Sequence, residues 1–257
     1  MNKPLRSLLL LSLLPAMACA QPPARIWRVC VTDMVVPPYL NNDPTRPGLV
    51  ERLLVDAGRQ AGLAVLLLRY PVKRCRAMLD GDGADAAIAG PTAGNLADQL
   101  LFPLKDGGFD VARRLARINL VWVKRADAPW SWDGRSFGGR VAGAPPPLVG
   151  TRISMRIATE PLNAMGLRVD ETALSTRQLL AKLVARRIDA VVALQEEVEL
   201  ALHDPALKPL VVLPRAFHTG EFYAVVKGPL APELVEPVEA WWTAIGKLRD
   251  RPEYVNR

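Results

Sequence analysis

Apolar residues along this chain follow two rhythms. Short continuous runs alternate with stretches where apolar side chains recur every three or four positions. The run at 28–32 (RVCVT) predicts a strand. Pro37 and Pro38 cannot continue a ladder, so 35–48 reads as a loop. Residues 49–62 place Leu49, Leu53, Leu54 and Ala57 on one helical face. The run at 63–69 is almost wholly apolar, as in strands covered on both faces. A short helix at 72–79 ends at Gly81, and 85–89 forms a third strand closed by Gly90, Pro91 and Thr92. The order β-α-β-α-β predicts a doubly wound α/β sheet.

The second half repeats the theme. A strand is expected at 118–123, followed by a loop rich in Gly and Trp. Trp130 and Trp132 in that loop are read as packing beneath the strand. Arg140 to Ala142 leads into three prolines, Pro145, Pro146 and Pro147. A helix at 176–187, strands at 188–193, 211–213 and 222–226, and a last helix at 230–248 complete the series. The unit 179–192 (LLAKLVARRIDAVV) parallels 75–88 (CRAMLDGDGADAAI): helix, turn, Asp, Ala, apolar strand. That parallel predicts two similar lobes rather than a long repeat array.

The 257 residues are 50% hydrophobic and 23% charged, which excludes a disordered, collagen-like or coiled-coil chain. The N-terminus reads as a secretory signal peptide. Lys3 and Arg6 precede an apolar core at 8–14, and small residues at 18 and 20 suit cleavage after Ala20. Lipidation at Cys19 is the alternative, against which Ala16 stands where a branched aliphatic residue is expected. The formal net charge of +7 is dispersed, with no basic run of five, so no nucleic-acid partner is expected. Beyond the leader, the cysteines are Cys30 and Cys75. In an exported chain they allow one disulfide or two small core thiols, and the sequence leaves both open. His203 and His218 form no paired metal-ligand spacing, and the acidic turn at 80–85 lacks the length and distal Glu of an EF-hand. No cofactor and no metal are expected.

In this order the pieces resemble the periplasmic solute-binding proteins of the amino-acid-binding family, with their two-lobed type II fold. The resemblance spans nearly the whole mature chain. It rests on Pro37-Pro38-Tyr39 after the first strand, Gly48 to Glu51 opening the next helix, and Lys73-Arg74-Cys75 leading to Gly81 and Asp85. It continues through Leu101-Phe102-Pro103, Trp132-Asp133-Gly134, Arg187 to Val192 (RIDAVV) and Pro252-Glu253-Tyr254. Beyond the leader at 1–20, the resemblance implies lobe I at 21–117 and 220–257, and lobe II at 118–219. Hinge crossings fall near 115–120 and 214–222.

Amino-acid binders of that family hold the ligand carboxylate with an Arg a few residues after the third strand. They hold its amine with an Asp five residues after the lobe II Asp-Ala pair. Here 90–98 contains no Arg, and the position counted from Asp189 is Leu194. Burying a zwitterion without either partner leaves charges unpaired, so a standard α-amino acid is not expected. The candidate cleft residues, at the carboxyl ends of strands, are Asp33, Tyr39, Arg74, Thr92 and Asn95, with Thr151, Arg152, Ser154, Gln195 and Glu196 from lobe II. The implied protein is a monomer in the periplasm that captures a small polar solute for an ABC permease or a membrane receptor. A member whose cleft serves a protein partner or a sensory role is the alternative. An enzyme of dehydratase type is less favoured: no nucleophile elbow, metal-binding His pair or Cys–His signature is present.

Overall fold

The computed structural model describes residues 25–139, 143 and 145–255. The leader, its cleavage site, Cys19 and the 140–142 lead-in lie outside these residues.

The first strand, β1 (Arg25–Thr32), buries Trp27, Val29, Cys30 and Val31. Helix α1 (Leu49–Gln60) sets Leu53, Leu54 and Ala57 into the core. Its start is fixed by Glu51, 1% exposed, whose carboxylate accepts from the Gly48 and Asn41 amides and pairs with Arg69 at 2.8 Å. Strand β2 (Leu63–Tyr70), helix α2 (Val72–Asp80) and strand β3 (Ala86–Ala89) follow. The chain then forms a short helix α3 (Ala93–Ala97), three two-residue strands and the long β7 (Ala116–Arg125). Those short strands are β4 (Leu100–Leu101), β5 (Leu104–Lys105) and β6 (Gly108–Phe109).

Beyond β7, a hairpin of β8 (Ser131–Trp132) and β9 (Phe137–Gly138) carries the two tryptophans inward. Trp122 of β7 meets the rings of Trp130, Trp132, Phe137 and Phe217, with centroids 5.0–5.9 Å away. Then come β10 (Leu148–Arg152), α4 (Arg156–Ala164), β11 (Arg168–Ala173) and α5 (Thr176–Val184). Strands β12 (Ala190–Leu194), β13 (Leu210–Val212) and β14 (His218–Lys227) surround α6 (Gln195–Ala201), and α7 (Pro232–Arg249) packs on α1. Trp241 of α7 packs edge-on to Trp27 and donates to the Leu54 carbonyl. No helix among the described residues is long and apolar enough to cross a membrane.

Sheet order is β11-β10-β12-β7-β14-β3-β1-β2. The outer strands on each side are parallel, β1 with β2 and β3, and β10 with β11 and β12. Between these two α/β halves run β7 and β14, antiparallel over Ala116 to Leu120 and His218 to Phe222. Past that ribbon, β14 pairs with β3 in one half, while β7 pairs with β12 and β13 in the other. The chain therefore crosses between halves on a two-stranded ribbon rather than on loops. Cys30 of β1 and Cys75 of α2 form a disulfide, with Cα atoms 5.5 Å apart.

Candidate functional site

The two halves face each other across a cleft floored by the β7/β14 ribbon. A cavity of about 170 Å³ lies there. One wall comes from the carboxyl ends of β1 and β3, the Val36–Leu40 loop and α2. The other is the continuous run 152–157, which joins β10 to α4, together with Leu194 at the end of β12. Most of the lining is aliphatic, including Val36, Leu40, Ile88, Ile153, Ile157 and Leu194. A second compartment of about 300 Å³ lies beside it, lined by Arg114, Arg117, Glu196, Arg249 and Asp250. Tyr39 lines both.

Among the described residues, three sets of polar contacts join the lobes directly. Tyr39 Oη donates to Glu196 Oε1 at 2.8 Å. Glu160 of α4 accepts from Thr92 Oγ1 at 2.9 Å and from the Gly94 amide at 3.2 Å. Arg156 donates to Asn95 Oδ1 at 3.2 Å and to Asp98 Oδ2 at 2.6 Å. Ile157 adds an apolar contact: a Cβ placed on Gly90 would stand 3.0 Å from its Cδ1, and one on Gly220 3.1 Å. Bare backbone at those two glycines is what lets Ile157 close against the ribbon.

Comparison with solved structures gives the same architecture. The ligand-binding core of GluR0 from Nostoc punctiforme, in complex with L-glutamate, superposes with a TM-score of 0.64 at 16% identity, over 89% of this chain and 95% of that one. A histidine kinase sensor domain with similarity to periplasmic binding proteins gives 0.66 at 16%, over 90% and 93%. This chain has the two-lobed periplasmic-binding-protein fold. A Salmonella typhimurium periplasmic binding protein with high arginine specificity shares that fold at TM-score 0.62 and 14% identity, over 90% and 96%. No family model matches the sequence, and no curated protein matches it.

Within this binding-protein fold, the sequence-predicted residues separate into two groups. Tyr39, Asn95, Arg152 and Ser154 line the cavity. Burial, and after it the bond to Glu196, pushes the Tyr39 phenol well above its usual range. Glu196 lines the outer compartment, and its Oε2 is buried with no partner among the described residues. Thr92 caps α3 by accepting from the Asn95 amide, and it donates to Glu160. Ser154 sits at φ 61°, in the left-handed region, where the backbone turns from β10 into α4.

The other group lies away from the cavity lining. Asp33 is tied through its backbone, its carbonyl accepting from Asn42 and its amide donating to the Tyr70 carbonyl. The Arg74 guanidinium stacks 4.1 Å from the Tyr70 ring centroid on the exposed face of α2. Gln195 bonds Glu199 on the surface of α6. Thr151 is fully buried, with no partner for Oγ1 among the described residues.

The sequence reading passed over Arg76, Asp98, Arg156, Glu160 and Glu197. Arg76 is two residues beyond Arg74, over half a turn round α2, and faces the cavity. It donates to Asn95 Oδ1 at 2.9 Å and lies 3.6 Å from Asp98. Burial, and then the like charge of Arg156, lowers its pKa. Arg152 is 4% exposed and pairs through Nη1 with Glu197 Oε1 at 3.0 Å. Glu197, 8% exposed, also accepts from Thr176. Burial pushes the Glu197 carboxyl up and the Arg152 guanidinium down, while their mutual attraction opposes both. Arg152 Nε remains without a partner among the described residues. Leaving such a donor unmet costs roughly 1–3 kcal/mol. Among the described residues no cluster of His, Cys, Asp and Glu suits a metal ion.

Proposed function

We propose that this protein is a periplasmic binding module that closes its two lobes around a small solute and presents the closed form to a membrane partner. Lobe I comprises 21–117 and 220–257, and lobe II 118–219. The observation that carries the reading is the cavity itself. It is walled by both lobes and floored by the ribbon that joins them, so a bound molecule favours closure through contacts it makes only in the closed form. The partner is an ABC permease or a membrane receptor. The neighbours include a histidine kinase sensor domain and a periplasmic binding protein of high arginine specificity, which is compatible with either. Leu194 lines the cavity where the resembled family carries its amine-binding Asp, and the 90–98 segment brings no Arg. Both points support a ligand other than a standard α-amino acid.

The test is native mass spectrometry of mature protein purified gently from the periplasm, followed by thermal shifts against amino acids, polyamines, organic acids and small peptides. A ligand at 100 times its dissociation constant adds roughly 2.7 kcal/mol of stability. A co-purifying mass with such a shift is expected. A tight standard α-amino acid would refute the missing-clamp argument.

The direct Tyr39–Glu196 and Glu160–Thr92 bonds favour a second reading, in which a protein partner reads lobes that close on each other without solute. An empty cleft and no shift across the panel would move the assignment there. Turnover of any panel member would refute both non-enzymatic readings.

A further inference from the structure

The chemistry of the cavity wall deepens the solute-binding reading, on which this inference rests. Three charged side chains line the cavity, and all are arginines: Arg76, Arg152 and Arg156. No acidic side chain among the described residues lines it. The carboxylates that balance the arginines stand behind them. Glu197 engages Arg152 through Nη1, and the buried Nε is left unpartnered. Arg76 and Arg156 lean on the same carboxylate, Asp98, and on the same amide oxygen, Asn95 Oδ1. Asp98 is thus the carboxylate within ion-pair distance of both guanidinium groups, with Glu160 and Asp80 adding weaker attraction at Arg76 from outside the cavity lining.

The backbone adds to this. Residues 152–157 wrap the cavity and include Arg156 and Ile157, the first two residues of α4, a nine-residue helix whose N-terminus no side chain among the described residues caps. The Ala158 and Thr159 amides donate to the Met155 carbonyl, while those of Arg156 and Ile157 have no intrahelical acceptor, and with the positive dipole end they favour an anion. The rest of the wall is aliphatic, which suits an apolar body. An ammonium entering here would meet three cations and no carboxylate. Glu196, the nearest unsatisfied acid, lines the outer compartment beyond Tyr39.

We propose that the cavity binds a small organic carboxylate with an apolar body and no amino group, its anion turned toward the arginine-lined wall and the first turn of α4. Carboxylate and guanidinium match in charge and hydrogen-bond geometry, and the exclusion of water strengthens that match.

The experiment uses mature protein stripped of ligand by unfolding and refolding. Calorimetric titration compares propanoate, 3-methylbutanoate, benzoate and phenylacetate with their primary amides, with the amines of matching skeleton, and with valine and phenylalanine. At least one carboxylate is expected to bind, its amide about 10- to 100-fold more weakly, as befits loss of a charge-assisted contact. The matching amine and amino acid are expected not to bind. Amides or amines that bind as tightly as the acids would overturn this inference and leave solute capture standing. No binding by any member would also overturn this inference, and solute capture would then stand or fall on the co-purifying mass and the wider thermal-shift panel.

Arg76→Gln supplies the second arm. Arg76 is part-exposed, so this variant is the one expected to fold, whereas Arg152→Gln strands buried Glu197. A loss of about 10-fold for the carboxylate, with amide affinity unchanged, supports the inference. Unchanged carboxylate affinity in both Arg76→Gln and Arg156→Gln overturns it.

Discussion

Replacing Glu160 by Ala removes a lobe-to-lobe contact without touching either lobe's core. Its carboxylate takes one hydroxyl and one amide from lobe I, at 2.9 and 3.2 Å. A hydrogen bond to a charged group contributes about 1.5–3 kcal/mol when shielded. Glu160 is half-exposed, so solvent screening reduces the pair to about 1–2 kcal/mol in total. That energy exists only when the lobes are together. Its loss therefore shifts the closed-to-open ratio of the ligand-free protein about 5- to 30-fold toward open. Single-molecule energy transfer between dyes on exposed positions of the two lobes measures the ratio directly. Ligand affinity falls by no more than the same factor, because part of the binding energy is then spent on closure. Tyr39→Phe removes the separate contact to Glu196, and its effect adds to the first because the two contacts share no residue. Unchanged populations in the double variant would refute the argument that these contacts hold the closed form.

Other substitutions probe the fold beneath the site. Arg152→Met strands Glu197 and is expected to cost about 3–5 kcal/mol in urea denaturation, most of it recovered by adding Glu197→Gln. Burial raises the Glu197 carboxyl, so its penalty is absent below the ordinary carboxylate range and grows as pH rises through the folded value; Arg152→Met is therefore least stable near neutrality and recovers in acid. Replacing Cys30 and Cys75 together by Ala opens a link between residues 45 apart and is expected to lower stability by about 2–4 kcal/mol, read as a fall in Tm under non-reducing conditions. Burial raises the Asp170 carboxyl, but hydrogen bonds from Lys182 and Thr172 outweigh it and hold the pKa at about 2. The stability this brings is complete above the unfolded carboxylate range and is lost as pH falls toward 2, so Lys182→Met should flatten that part of the acid-unfolding curve.

The first lobe was legible because its pattern is local. The run at 63–69 and the helical face at 49–57 read directly, and Leu63–Tyr70 and Leu49–Gln60 form there. The segment 148–173 was not. Strand β10 (LVGTR) has no apolar run, β11 (RVDETA) buries only Ala173, and α4 carries Pro161 in its interior. These elements take shape from their neighbours, β12 and α5, more than from their own periodicity. The same gap hid the cleft chemistry. Arg156 and Glu160 matter only because the fold carries α4 across to α3, and no spacing in the sequence encodes that approach. Arg74 and Arg76 show a finer limit. Cys75 and Leu79 fix which face of α2 is buried, and the two arginines on either side of Cys75 then take opposite fates, one against Tyr70 and one in the cavity.

The ribbon that joins the lobes is a flexure. Two antiparallel strands make a strip that is thin across its face and broad along its hydrogen bonds, so it bends far more easily in one sense than in the other. Bending and twisting of this strip are then the soft modes expected between the lobes. Ile157 arrives at Gly90 and Gly220, where a Cβ would crowd its Cδ1 at 3.0 and 3.1 Å. The spacing of the two walls in this structure is fixed jointly by that methyl group against bare backbone and by the polar contacts of Tyr39, Glu160 and Arg156. A surface that contacts both rims would therefore register the spacing of the walls, which depends on a few named contacts rather than on the whole cavity lining.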